Sequence, residues 1–192
     1  MTNPARLVSR IARLLDQLGI SYHVGGSVAS SWYGQPRSTA DLDVVIEADA
    51  AQLAALADAL RSEFYVSAEA MAEALAEQRS FNAIELDGPF KVDFFIRGSR
   101  PFDREEFQRA RAQPLGSAES ETIRLKSPED LILRKLEWFR LGGEVSDHQW
   151  QDALGVLRAM RGHLDGSYLE RWARDLGISD LLARARKEAT SD

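Results

Sequence analysis

The chain has 192 residues, of which 44% are hydrophobic, and a formal net charge of −6. That is enough apolar material for one medium domain or a domain with a helical appendage, and it excludes global disorder. With no cysteine there is no disulfide framework and no thiolate metal site. The negative balance argues against strong non-specific nucleic-acid binding, which needs a clustered basic field. The three histidines, His23, His148 and His163, have no metal-ligand spacing. The first twenty residues lack the apolar core of a signal peptide, and no later run is long enough to span a membrane. The expectation is a soluble, cytoplasmic protein.

In chain order, Leu7, Val8, Ile11, Leu14, Leu15 and Leu18 mix spacings of three and four, which predicts one helix face ending at Gly19. "ISYHV" predicts a short strand, and Ser27 to Tyr33 a helix that opens at two glycines. "LDVVIEA" is rich in β-branched residues and predicts a strand. "DAAQLAALADALRSEF" predicts an amphipathic helix with Asp49 near its start, and "EAMAEALAEQR" another. "SFNAIEL" and "FKVDFFI" flank "DGP", a hairpin signal. Phe102 to Arg109 predicts a short helix, followed by irregular or strand structure to Leu125. Beyond Lys126 the texture turns helical. "SPEDLILRKLEWFRLGG" has Ser127 as N-cap, Pro128 at the first helical position and acidic residues in the first turn. "SDHQWQDALGVLRAM", "SYLERWARDLG" and "SDLLARARKEA" predict further helices. The locally arginine-rich stretches read as solvated helix faces. Most of the tryptophans and other aromatic residues read as core, and His23 as a packed strand residue.

Chemistry concentrates in "HVGGSVASSWYGQPRSTADLDVVIE". Residues two apart on a strand share a face, so Asp41 and Asp43 project together while Leu42 and Val44 turn away. Two like charges that close repel, and a divalent cation is the natural offset, because Mg²⁺ prefers carboxylate oxygens and keeps room for substrate phosphates. Asp93 in "KVDFFI" is a third carboxylate set in apolar sequence. If its strand neighbours the first, all three converge. Gly25 and Gly26 let backbone amides approach a ligand, and Ser27 opens a helix whose N-terminus attracts phosphate. The pattern is a phosphate cradle beside a metal site.

"GGS", "RSTADLDVVI" and "KVDFF" together resemble the DNA polymerase β-type nucleotidyltransferase superfamily. The form Arg37-Ser38-Thr39-x-Asp41-Leu42-Asp43 is most similar to its AbiEii-like toxin group and to minimal nucleotidyltransferases. Lys135 in "SPEDLILRKLEWF" and Asp152 in "QWQDALGVL" match a helical lysine and a later helical aspartate of that group. The resemblance covers about residues 20 to 157. It departs where Gln151 stands in place of a basic residue, and the spacer before Asp41 is longer than in the smallest members. It implies an α/β (α+β) fold, with a small mixed sheet flanked by helices over residues 1–116 and a helical region over 117–192.

The resemblance also implies roles. Asp41 and Asp43 hold Mg²⁺ or Mn²⁺ that binds the nucleoside triphosphate. Asp93 helps hold a second ion and takes the proton of an attacking hydroxyl. Gly25, Gly26, Ser27, Arg37 and Thr39 serve the nucleotide. Lys135 neutralises the triphosphate, and Asp152 orients Lys135 or the acceptor. The implied reaction moves a nucleoside monophosphate to a hydroxyl on an RNA end or a partner protein, in a toxin–antitoxin setting, or on a small molecule such as an aminoglycoside. A nucleotide-binding or protein-interaction module that has lost turnover is the competing class. The intact Asp41, Asp43, Asp93 and Ser27 argue against it.

Overall fold

The computed structural model describes residues 4–34, 39–115 and 122–191. In chain order the elements are α1 (Pro4–Gln17), β1 (Ser21–Val24), α2 (Gly26–Tyr33), β2 (Asp41–Glu47), α3 (Ala50–Leu60), β3 (Phe64–Val66), α4 (Ala68–Glu77), β4 (Ser80–Glu85), β5 (Lys91–Ile96), α5 (Pro101–Gln108), β6 (Arg111–Pro114), β7 (Thr122–Leu125), α6 (Pro128–Leu141), α7 (Asp147–Ala159), α8 (Gly166–Asp175) and α9 (Ser179–Ser191). The chain divides into two compact units. One is Met1–Gly26 with Ser38–Lys126, and the other is Ser27–Arg37 with Ser127–Asp192. No helix among the described residues is long and apolar enough to cross a membrane.

The first unit is built on a mixed sheet of order β3-β4-β5-β2-β1-β7-β6. β2 runs parallel to β5, and β1 parallel to β7. The other neighbours are antiparallel. Alternation decides which side is core. Leu42, Val44 and Ile46 of β2 and Val92, Phe94 and Ile96 of β5 are buried, while the residues between them are not. Helices α1, α3 and α4 pack on the sheet and contribute Leu7, Ile11, Leu15, Leu53, Leu56, Leu60 and Met71 to the core. Asp49 caps α3 by accepting from the Gln52 amide at 2.8 Å, and the Gln52 side chain reaches back to the Asp49 amide at 3.0 Å. Gln52 Nε2 also donates to the Gly19 carbonyl at 2.9 Å, which ties α3 to the end of α1.

One sequence expectation changes. The helix expected to run to Phe64 stops at Leu60, and Phe64 instead opens β3. Strand pairing wins there, because Phe64, opposite Glu85, sends its ring into the core while Tyr65, opposite Ile84, faces outward. The stretch before Leu125 forms β6 and β7, paired antiparallel. The hairpin expected at "DGP" joins β4 to β5, closed by the Glu85 amide donating to the Phe90 carbonyl at 2.9 Å.

In the second unit α6 packs on α7 and α8, and α9 on α6, α7 and α8. The N-terminus of α6 buries two acidic residues, and both are satisfied. The Ser127 hydroxyl accepts from the Asp130 amide at 3.2 Å and donates to Asp130 Oδ2 at 2.5 Å. The Tyr168 hydroxyl donates to Asp130 Oδ1 at 2.5 Å. Glu129 accepts from the Asp165 amide at 3.1 Å. Gly34, after α2, lies against α7 so closely that a Cβ there would stand 3.0 Å from the Gly155 carbonyl carbon and 3.2 Å from the Val156 nitrogen. Trp150, Phe139 and Trp172 are core, whereas Trp138 and Trp32 are exposed.

Tyr22 links the sheet to a stability window. It is buried on the core side of β1, and burial first, then the Asp16 carboxylate, push its phenol up to about 12 from 10.0. A raised folded-state value means the native protein holds the proton more tightly than the unfolded chain. The stabilisation is complete below pH 10.0 and is lost as pH rises toward about 12. Unfolding followed by circular dichroism, with tyrosinate absorbance in parallel, should show a loss of stability across that window. Tyr22→Phe should remove this component.

Candidate active site

The site starts from register. β2 and β5 pair in parallel with Asp41 opposite Lys91 and Asp43 opposite Asp93. Partners in register point the same way, so Asp41, Asp43, Lys91 and Asp93 share the sheet face opposite the helical core. β4 adds Asn82 opposite Asp93 on the other side. The backbone before both strands is held in the same frame. Thr39 Oγ1 accepts from the Asp41 amide and donates to the Asp41 carbonyl, both at 3.1 Å. The Lys91 amide donates to the Ala40 carbonyl at 3.0 Å.

The glycine turn closes over these carboxylates. The Gly25 amide donates to the Asp43 carbonyl at 2.9 Å and extends the β1–β2 pairing. Gly26 has φ +53°, and a Cβ on it would fall 1.7 Å from Asp43 Oδ2. Both the backbone conformation and the space require glycine. Ser27 follows within α2. Close to Gly25 lies the buried pair Lys126–Glu106, with Nζ 3.0 Å from Oε2 and each side chain only 5% exposed. His23, fully buried on β1, packs its ring 5.4 Å from that of Phe107, as the strand reading expected.

Lys91 stands between two of the carboxylates. Its Nζ is 2.9 Å from Asp93 Oδ2 and 3.5 Å from Asp41 Oδ1. The hydrogen bond to Asp93, against an opposing burial effect, raises its pKa above the usual lysine value. Sequence reasoning missed this residue. The signal was available, since "KVD" places Lys91 two before Asp93 and therefore on the same face. Among the described residues no three carboxylate or imidazole side chains are drawn together closely enough to hold an ion as they stand. The donor set nevertheless fits a hard divalent ion. Three carboxylates rise side by side from two registered strands, and the absence of a side chain at Gly26 makes room for one of them, Asp43.

In the helical unit, Lys135 Nζ lies 2.8 Å from Asp152 Oδ2, with the side chains 9% and 11% exposed. Both are largely buried. Arg37 lies outside the described residues.

The mixed sheet flanked by helices has the fold of nucleotidyltransferase-like proteins of solved structure. An antigenic nucleotidyltransferase-like protein from Paracoccidioides brasiliensis is 19% identical, with a TM-score of 0.65 over 97% of this chain and 90% of that one. The antibiotic-resistance factor ANT(2″)-Ia, in complex with adenylyl-2″-tobramycin, is 15% identical, with a TM-score of 0.61 over 92% of this chain and 98% of that one. The lincosamide antibiotic adenylyltransferase LnuA, lincomycin-bound, is 13% identical, with a TM-score of 0.50 over 81% and 96%. No protein-family model matches the chain, and no curated protein does.

The Lys135–Asp152 pair makes a separable prediction. Lys135→Met should cost about 3 kcal/mol, because it strips a nearly buried carboxylate of its lysine, and Lys135→Met/Asp152→Leu should recover most of that loss. Urea denaturation of the two variants and the wild type checks both values.

Proposed function

We propose that this protein is a metal-dependent nucleotidyltransferase that moves a nucleoside monophosphate from a nucleoside triphosphate to a hydroxyl acceptor. The observation that carries the reading is the registered Asp43–Asp93 pair, with Asp41 on the same face and Gly26 against Asp43. Asp41 and Asp43 bind the ion that accompanies the triphosphate, and Asp93 joins them. Mg²⁺ or Mn²⁺ held there would offset the charge of the phosphates and of the leaving pyrophosphate. Asp93, less exposed than Asp41, takes the proton of the attacking hydroxyl. The hydroxyl oxygen bonds to the α-phosphorus as the bond to the bridging oxygen breaks and pyrophosphate leaves. Gly25, Gly26 and Ser27 cradle phosphate, with Arg37 and Thr39 serving the nucleotide. Lys135 keeps the role the resemblance gives it, neutralising charge on the triphosphate, with Asp152 orienting it.

A small polyhydroxylated molecule is the acceptor we place first. Two of the similar folds belong to proteins described with antibiotics, and the net charge of −6 disfavours a polyanionic acceptor. The second reading is an RNA end or a partner protein in a toxin–antitoxin setting. It is favoured by the Arg37-Ser38-Thr39-x-Asp41-Leu42-Asp43 form together with the Lys135–Asp152 pair.

Calorimetry with each nucleoside triphosphate should give binding that needs Mg²⁺ or Mn²⁺ and that Asp43→Ala weakens. Equal binding without metal, and by the variant, would sink the site assignment.

Asp93→Ala should retain measurable triphosphate binding yet lose transfer by roughly 10²–10⁴-fold, the range for a positioned base. Radiolabelled triphosphates offered with an aminoglycoside and lincosamide panel, total RNA and lysate identify the acceptor. Metal-dependent binding with no acceptor labelled in any arm would favour a non-catalytic module.

A further inference from the structure

Lys91 is absent from every role assigned above, yet it occupies the centre of the site. It is the first residue of β5, opposite Asp41 and two before Asp93. Its ammonium makes one short contact to Asp93 and a longer one to Asp41. A single positive charge thus sits between Asp41 and Asp93, at the place where an ion shared by the two would bind. An ammonium and a divalent ion compete for those oxygens, because both are drawn to their lone pairs and repel one another at that range. The lysine stem is long and flexible, and its side chain is 35% exposed, so the head can leave without backbone movement.

We infer that Lys91 is a resident counter-ion, which holds Asp41 and Asp93 in the metal-free protein and must be displaced from them when the divalent ion enters. This rests on the metal reading of the site and adds a residue that sets its affinity. The arrangement has two consequences. Without metal, Lys91 relieves the repulsion that the strand register imposes. With metal, its displacement is a competing cost that weakens ion binding.

The test measures Mn²⁺ binding by electron paramagnetic resonance on the wild type, Lys91→Met, Lys91→Arg and Asp43→Ala, with no acceptor present. Lys91→Met should tighten Mn²⁺ binding by roughly tenfold, as expected when one partly screened like charge is removed. Lys91→Arg should stay near the wild type, and Lys91→Met should melt at a lower temperature without metal and recover with it. Unchanged or weaker Mn²⁺ binding by Lys91→Met overturns the inference. Should that variant not fold, the wild type still decides. Brief amine acetylation read by mass spectrometry should modify Lys91 faster when Mn²⁺ is added, relative to exposed Lys187. No change in that ratio overturns the inference too. The two readings fail separately. Mn²⁺ binding that Asp43→Ala weakens but Lys91→Met leaves unchanged removes the counter-ion role and keeps the metal site. Absence of binding by every variant removes both.

Discussion

The structure turns on one crowded contact, the parallel pairing that sets Asp43 directly beside Asp93. Parallel strands are ordinarily apolar on both faces. Here β2 and β5 are apolar on one face only, and the other carries like charges at neighbouring positions. Such repulsion persists in a folded protein when something compensates it or when function uses it. The surroundings supply the compensation: Lys91 reaches two of the carboxylates, and the Gly25–Gly26 turn lies against the third. α4 packs on β5, and pairing with β1 and β5 holds β2 in place, which keeps the carboxylates from drifting apart.

Much of this could be read from the sequence, for identifiable reasons. β2 declares itself by its β-branched residues and β5 by the hairpin signal before it, and the two-residue period of a strand places Asp41 and Asp43 on one side. Ser127 and Asp49 announce helix starts because their side chains do the capping. β3 was hidden, since three residues are too few to establish a period and the helix before it runs almost into them. β6 was equally hard to see: "RAQP" lies at the sheet edge with no residue fully buried, so it carries no hydrophobic signal. Lys91 was missed because a lysine at the head of a strand ordinarily lies in solvent. Only the register, joining positions fifty residues apart in sequence, brings it to Asp41.

The buried polar groups divide into two kinds. Asp130 and Glu129 are tied to hydroxyls and amides within the helical unit and have the marks of architecture, with each contact closing on a neighbouring helix start. Lys126–Glu106 and Lys135–Asp152 are charge pairs almost out of water. Such pairs contribute little net stability against apolar replacements, so their value lies in holding a geometry. The first lies beside the glycine turn.

The close approach of Gly34 to the backbone of α7 bears on how the chain is made. The helical unit takes in Ser27–Arg37 as well as everything from Ser127 onward. During synthesis α2 leaves the ribosome with its packing surface on Gly155 and Val156 still untranslated. At about 5–20 residues per second it waits several seconds for that partner, while the intervening sheet strands emerge and pair. The helical unit therefore cannot close before the sheet unit has been delivered whole, and vectorial translation gives the two an order of assembly.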